Sequence, residues 1–193
     1  MVALHDEILT TNGAAWDRPA VAVDIAPAQQ LRLARFAALL AADRPCGIKD
    51  PRTLLLLDDW LNIAPQPVSC IGTFRHPLAV ASSLHHRNGL PIERGLALWE
   101  DYNQRLIKQH RNAPFPIITY DLKQPGKYRQ TIKDLAGDLG LQPSSWKLWR
   151  FVSSNLDHQR PSSDAEMPKS CAHLYSYLCQ HSLNPPESNL VRC

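Results

Sequence analysis

The stretch Pro67–Ser83, P-V-S-C-I-G-T-F-R-H-P-L-A-V-A-S-S, decides the fold class of this chain. Its first eight residues are an apolar run opened by proline, which predicts a buried β-strand over Pro67–Phe74. Arg75 and His76 end the run. Pro77 then opens a helix expected to reach about His86, because a proline at the first helical position loses no needed N–H. A strand, a cation and a helix in immediate succession make an α/β unit whose strand end faces a ligand.

Working outward, Asn88-Gly89 reads as a turn, and Pro91–His110 as the longest helix, with Ile92, Leu96, Trp99 and Leu106 on one stripe. Phe115–Tyr120 reads as another strand and Lys127–Leu139 as an amphipathic helix stopped by Gly140. Upstream, residues 1–12 form a short helix ended by Gly13, and a proline-containing loop leads to a helix over Ala28–Ala42 marked by Leu31, Arg35, Leu39 and Ala42. The short apolar stretch Cys46-Gly47-Ile48 reads as a strand ending at Lys49, and Pro51 starts a helix to about Ile63. Short apolar strands between helices imply an α/β fold: three layers, with a short parallel sheet flanked by helices. From Pro143 the pattern is irregular and helical. Residues 1–183 are expected to form one domain, and residues 184–193 a flexible tail.

The 193 residues, 44% of them hydrophobic, carry a formal charge of +3 and no run of Lys or Arg. That balance argues against a nucleic-acid groove and suits a local anion site. No apolar stretch approaches the ~18–20 residues of a membrane span. Five scattered cysteines without C-x-x-C predict either a reducing, cytoplasmic setting or indifference to redox, with Cys46 and Cys70 buried in strands as small hydrophobes.

Three predicted strands end in polar residues: Lys49-Asp50-Pro51-Arg52, Arg75-His76-Pro77 and Tyr120-Asp121. The first two place a cation just before a helix N-terminus, a combination that suits phosphate or sulfate. Ser83 lies about two turns into the helix after Arg75, where a hydroxyl can add a bond to an anion held by the guanidinium. The alternative is that Arg75 pairs with a carboxylate and Ser83 is a surface serine. Asp50 is placed to cap the helix at Pro51. Arg52 either supports an anion or forms a salt bridge within the fold.

These motifs, taken in order, resemble the sulfotransferase family of the P-loop superfamily, particularly its bacterial and carbohydrate-type members. G-I-K-D-P-R-T is similar to that family's K-D-P-R strand end, and F-R-H-P-L-A-V-A-S-S-L to its R-x-P…S segment. L-A-L-W-E-D-Y-N and I-I-T-Y-D-L match the helix and strand downstream, with looser similarity at L-H-D-E-I-L, G-A-A-W-D and N-L-D-H-Q-R. The resemblance implies a P-loop NTPase-like fold and transfer of a sulfonate group from 3′-phosphoadenosine 5′-phosphosulfate to a hydroxyl or amine of a small-molecule or carbohydrate acceptor, without a metal. It implies that Arg75 and Ser83 bind the 3′-phosphate and that Lys49 lies near the transferring group, where Arg52 either supports the same anion or salt-bridges within the fold. The general base has no diagnostic motif; His158 and the Asp6-Glu7 pair are candidates by location.

The family's glycine- and Ser/Thr-rich phosphosulfate loop has no counterpart. Thr10-Thr11-Asn12-Gly13 follows a helix, carries no Lys or Arg and has no second glycine. The expectation is therefore a sheet missing its first strand, with unpaired edges. That strand then belongs to an upstream segment or a partner polypeptide, or else the chain is a non-catalytic nucleotide- or partner-binding remnant. A small-molecule kinase would need the same loop. Cys171, His173, Cys179 and His181 suggest zinc, but two pairs eight residues apart on one helix cannot easily surround an ion. Adjacent His85 and His86 point apart. Trp60 and Trp99 read as core, and Trp146 and Trp149 as packing residues.

Overall fold

The computed structural model describes residues 1–42, 45–65, 67–120, 123–144 and 166–186. The chain is mixed α/β and mostly helical, and it divides into two compact units, Met1–Ser69 and Cys70–Cys193.

The first unit is helical. Helix α1 (Val2–Thr11) ends where Gly13 adopts φ +65, the left-handed conformation that glycine enters at no steric cost; Ala14 N–H then bonds back to the Leu9 carbonyl. Thr10-Thr11-Asn12-Gly13 is thus a helix end. The Asn12 side chain ties the following loop, donating to the Asp24 carbonyl and accepting from the Asp24 N–H, both at 2.8 Å. Helix α2 (Pro27–Ala42) turns Leu33 and Ala37 inward. Its expected row faces outward instead, with Leu31 54% and Leu39 70% exposed. A helix this rich in Ala and Leu has apolar residues on several faces, so its composition did not select one. Pro51–Leu56 is a 3₁₀ helix that runs into α3 (Leu57–Ile63). Leu4, Ile8, Leu33, Ala37, Leu56 and Trp60 make the core.

Among the described residues no strand forms at Cys46–Ile48, and Cys46 is exposed, contrary to expectation. Three apolar residues cannot hold an extended segment without a neighbouring strand to take their hydrogen bonds.

The second unit carries the sheet, two short parallel strands among its described residues. Strand β1 (Gly72–Phe74) pairs in parallel with β2 (Ile117–Thr119), Gly72 opposite Ile117 and Phe74 opposite Thr119. β1 is shorter than the predicted Pro67–Phe74, and Cys70 is only half-buried. The cause is Pro116. Its carbonyl accepts the Gly72 N–H at 2.8 Å, but its nitrogen has no hydrogen for the Cys70 carbonyl, so the ladder ends there.

Helices α4 (Pro77–Asn88) and α5 (Ile92–Asn112) connect the strands and cross at Gly95, where an added Cβ would lie 2.9 Å from Ala81 Cα. Helix α6 (Pro125–Asp138) packs Tyr128 and Leu135 against Ile118 of β2. Helix α7 (Lys169–Gln180) lies on α5, with the fully buried Cys171 Sγ 3.8 Å from the Leu96 carbonyl. The segment after α7 runs along the far side of β2. Leu183 N–H donates to the Ile117 carbonyl at 2.9 Å, and the Asn184 amide both accepts from Thr119 N–H and donates to Thr119 C=O, each at 2.9 Å. Asn184, the first residue of the expected tail, is thus 4% exposed and takes the place of a strand. No helix among the described residues is long and apolar enough to cross a membrane.

Candidate functional site

In the first unit, the K-D-P-R motif is built into a buried polar network. Asp50 is extended (φ −149, ψ 124), so neighbouring side chains alternate in direction: Asp50 is buried and Lys49 exposed. Asp50 Oδ1 accepts from the Arg52 backbone N–H at 3.1 Å, which caps the 3₁₀ helix, and from Arg52 Nη1 at 3.0 Å. Arg52 Nε donates to Asp6 Oδ1 at 2.6 Å. Arg52 thus forms salt bridges within the fold.

The other Asp50 oxygen lies 2.9 Å from Nδ1 of His5, a residue on the apolar face of α1 with no exposed surface. Trp60 Nε1 lies 3.0 Å from His5 Nε2. An indole N–H can only donate, so Nε2 must hold its lone pair and the proton must sit on Nδ1, directed at Asp50. His5 is therefore a neutral imidazole with both nitrogens used. Burial lowers its pKa, outweighing the Asp50 carboxylate that would raise it. Burial works to raise the Asp50 carboxyl, but the hydrogen bonds from His5 and Arg52 bring it below its ordinary value.

This network is unsuited to proton transfer. His5 is out of reach of any substrate, and Asp50 is an ionised acceptor with three donors on it. The other base candidates are similarly engaged: Asp6 by Arg52, and Glu7 by Arg32 at 2.6 Å, a hydrogen bond that lowers the Glu7 pKa. Lys49 is exposed and has no ion pair among the described residues. His158, Asp121, Trp146 and Trp149 lie outside the described residues.

In the second unit, Arg75 directly follows β1 and Tyr120 directly follows β2. Because the strands are parallel and in register, both residues stand at the carboxyl end of the sheet. The Arg75 guanidinium carbon lies 5.4 Å from the Tyr120 ring centre, a cation–π contact that holds the side chain over the ring. Trp99 Nε1 donates to the Arg75 carbonyl at 2.9 Å and fixes the backbone there. Tyr175 of α7 meets Phe74 and His76 edge-on, with ring centres 5.8 and 5.0 Å apart. α4 starts at Pro77, three residues after the end of β1, so its first turn lies at the same end of the sheet, and it has no side-chain cap. Ser83 is half-buried on α4.

His5, Trp60, Tyr175 and Asn184 had no assigned place in such a network or site from sequence. For His5 the signal was present, since it lies among Leu4, Ile8 and Leu9 on one helical face. For Tyr175 and Asn184 no local pattern marks the contact. No family model, curated protein or solved structure matches this chain.

Proposed function

We propose that the chain is a sulfotransferase-like protein whose second unit holds the 3′-phosphate of a phosphoadenosine donor through Arg75, assisted by Ser83 and the N-terminus of α4. In the catalytic form of this reading, an acceptor hydroxyl or amine attacks sulfur, the sulfur–phosphate oxygen bond breaks, and the acceptor's proton leaves to a base. On this proposal the sheet is that of a P-loop NTPase-like fold lacking its first strand. The observation that supports it best is Arg75, a cation fixed at the carboxyl end of a parallel strand, two residues before a helix N-terminus.

Calorimetry with 3′-phosphoadenosine 5′-phosphate tests the reading. A charge-assisted bond contributes about 1.5–3 kcal/mol, so Arg75→Ala is expected to weaken binding by roughly 10- to 100-fold. Absent binding, or affinity unchanged in Arg75→Ala, would remove it. The second reading is a nucleotide-binding remnant without turnover. It is favoured by the commitment of Asp6, Glu7 and Asp50 to arginine and histidine partners. Transfer of labelled sulfonate to any hydroxyl or amine acceptor would reject it.

A further inference from the structure

The end of α7 meets the end of α5 in a cluster of rings and cations that the proposed site does not use. His181, the C-cap of α7, stacks on Tyr177 with ring centres 4.0 Å apart and planes 21° apart. The Arg111 guanidinium carbon lies 4.7 Å from the centre of the same Tyr177 ring. His110, in the last turn of α5, meets His181 edge-on at 5.5 Å and Phe115 at 5.5 Å, and its Nδ1 is 3.4 Å from the Tyr177 hydroxyl. His181 Nδ1 lies 2.8 Å from the Tyr177 carbonyl; a carbonyl only accepts, so that nitrogen carries the proton.

The groups facing this pair are therefore Arg111 and His110 on α5, Tyr177 and His181 on α7, and Phe115 before β2. Among the described residues no carboxylate forms an ion pair with His110, Arg111 or His181. Arg111 gives the cluster one fixed positive charge. Protonation of both imidazoles would add two more charges beside it, next to the helix C-termini and, at the exposed His181 and Arg111, next to solvent. Burial and the nearby His181 both act against charging His110.

The position of the cluster gives this charge change a mechanical consequence. His181 immediately precedes Ser182–Asn184, the segment that completes the far edge of β2 through Leu183 and Asn184. We propose that His110 and His181 form an acid-sensitive clasp: neutral, they hold the end of α7 and the following strap against α5 and β2, and when both are protonated beside Arg111 the strap leaves β2. The inference is independent of the sulfotransferase reading.

Nuclear magnetic resonance of the full chain between pH 7.5 and 5 provides the test. The Leu183 and Thr119 amides, which bond across the strap, should lose protection from exchange by about tenfold or more after correction for intrinsic rates, while Leu106 in the middle of α5 does not. The His110→Phe/His181→Phe double variant keeps both rings without the charge and should show no such loss. Equal loss in the variant, or unchanged protection in the parent, overturns the clasp. Should the variant fail to fold, the parent's imidazole titrations decide. The Leu183 amide must shift with the same midpoint as His110, and a Leu183 amide that ignores that midpoint overturns the proposal.

Discussion

Replacing His5 by phenylalanine keeps the ring volume and removes only its two nitrogens, so it isolates the polar terms of the buried network. Two losses follow. Asp50, 2% exposed at its side chain, loses one of its donors while remaining ionised. Trp60, 6% exposed, is left with an indole N–H and no acceptor. A hydrogen bond to a charged group contributes about 1.5–3 kcal/mol, and a buried unsatisfied donor costs about 1–3 kcal/mol. Together the first unit should lose about 3–5 kcal/mol. Because the chain has two compact units, a global melt could mix them. Native-state hydrogen exchange at the Ile8 and Leu9 amides of α1 reports the first unit alone. With ~1.4 kcal/mol per tenfold, their protection should fall by roughly 100-fold or more. The His5→Phe/Trp60→Phe pair should lose less than the sum of the single changes, since it removes donor and acceptor together. A loss below about 1 kcal/mol in His5→Phe, less than a single satisfied buried bond should contribute, would refute the reasoning.

The pH dependence follows with its sign. The folded pKa of His5 lies below the free value of 6.5, so between the two the unfolded chain binds the extra proton. The network's contribution is then complete above pH 6.5 and falls as pH drops below it; Asp50, also lowered, adds its loss only below its free value of 3.8. In His5→Phe the first of these losses should vanish from the exchange profile of α1. Gly95→Ala should destabilise the second unit by about 1–3 kcal/mol in urea unfolding, because the new Cβ meets Ala81 backbone at 2.9 Å and two helices must separate. Asn184→Ala should cost about 1–3 kcal/mol and speed exchange at the Thr119 amide, whose N–H loses its acceptor in a site only 2% exposed.

The arrangement at the carboxyl end of the sheet was legible from the chain because it is local. An apolar run, Arg75 and Pro77 within a few residues specify strand, cation and helix by short-range sterics and hydrogen bonding alone. The same holds for the cap at Asp50, whose partner is two residues away, and for Trp60 and Trp99, whose size and spacing put them in the core. The face of α2 was not legible, because Leu31 and Leu33 are equal in hydrophobicity and only the packing of α1 and α3 separates them.

What the sequence determined by itself is which segments are helical, where β1 and β2 lie, and that cations stand at the ends of apolar stretches. Those follow from periodicity and from the fixed geometry of proline and glycine. Only the tertiary structure decided what the cations do. Arg52 is consumed by Asp50 and Asp6, and Asp50 by a histidine 45 positions away, while Arg75 lies on Tyr120, the residue after the paired strand. The extent of the sheet was decided the same way, by the proline just before β2 and by an asparagine 65 residues beyond Thr119. Hydrogen-bond partners distant in the chain leave no periodic trace, so a side chain's chemistry can be read from sequence while its occupation cannot.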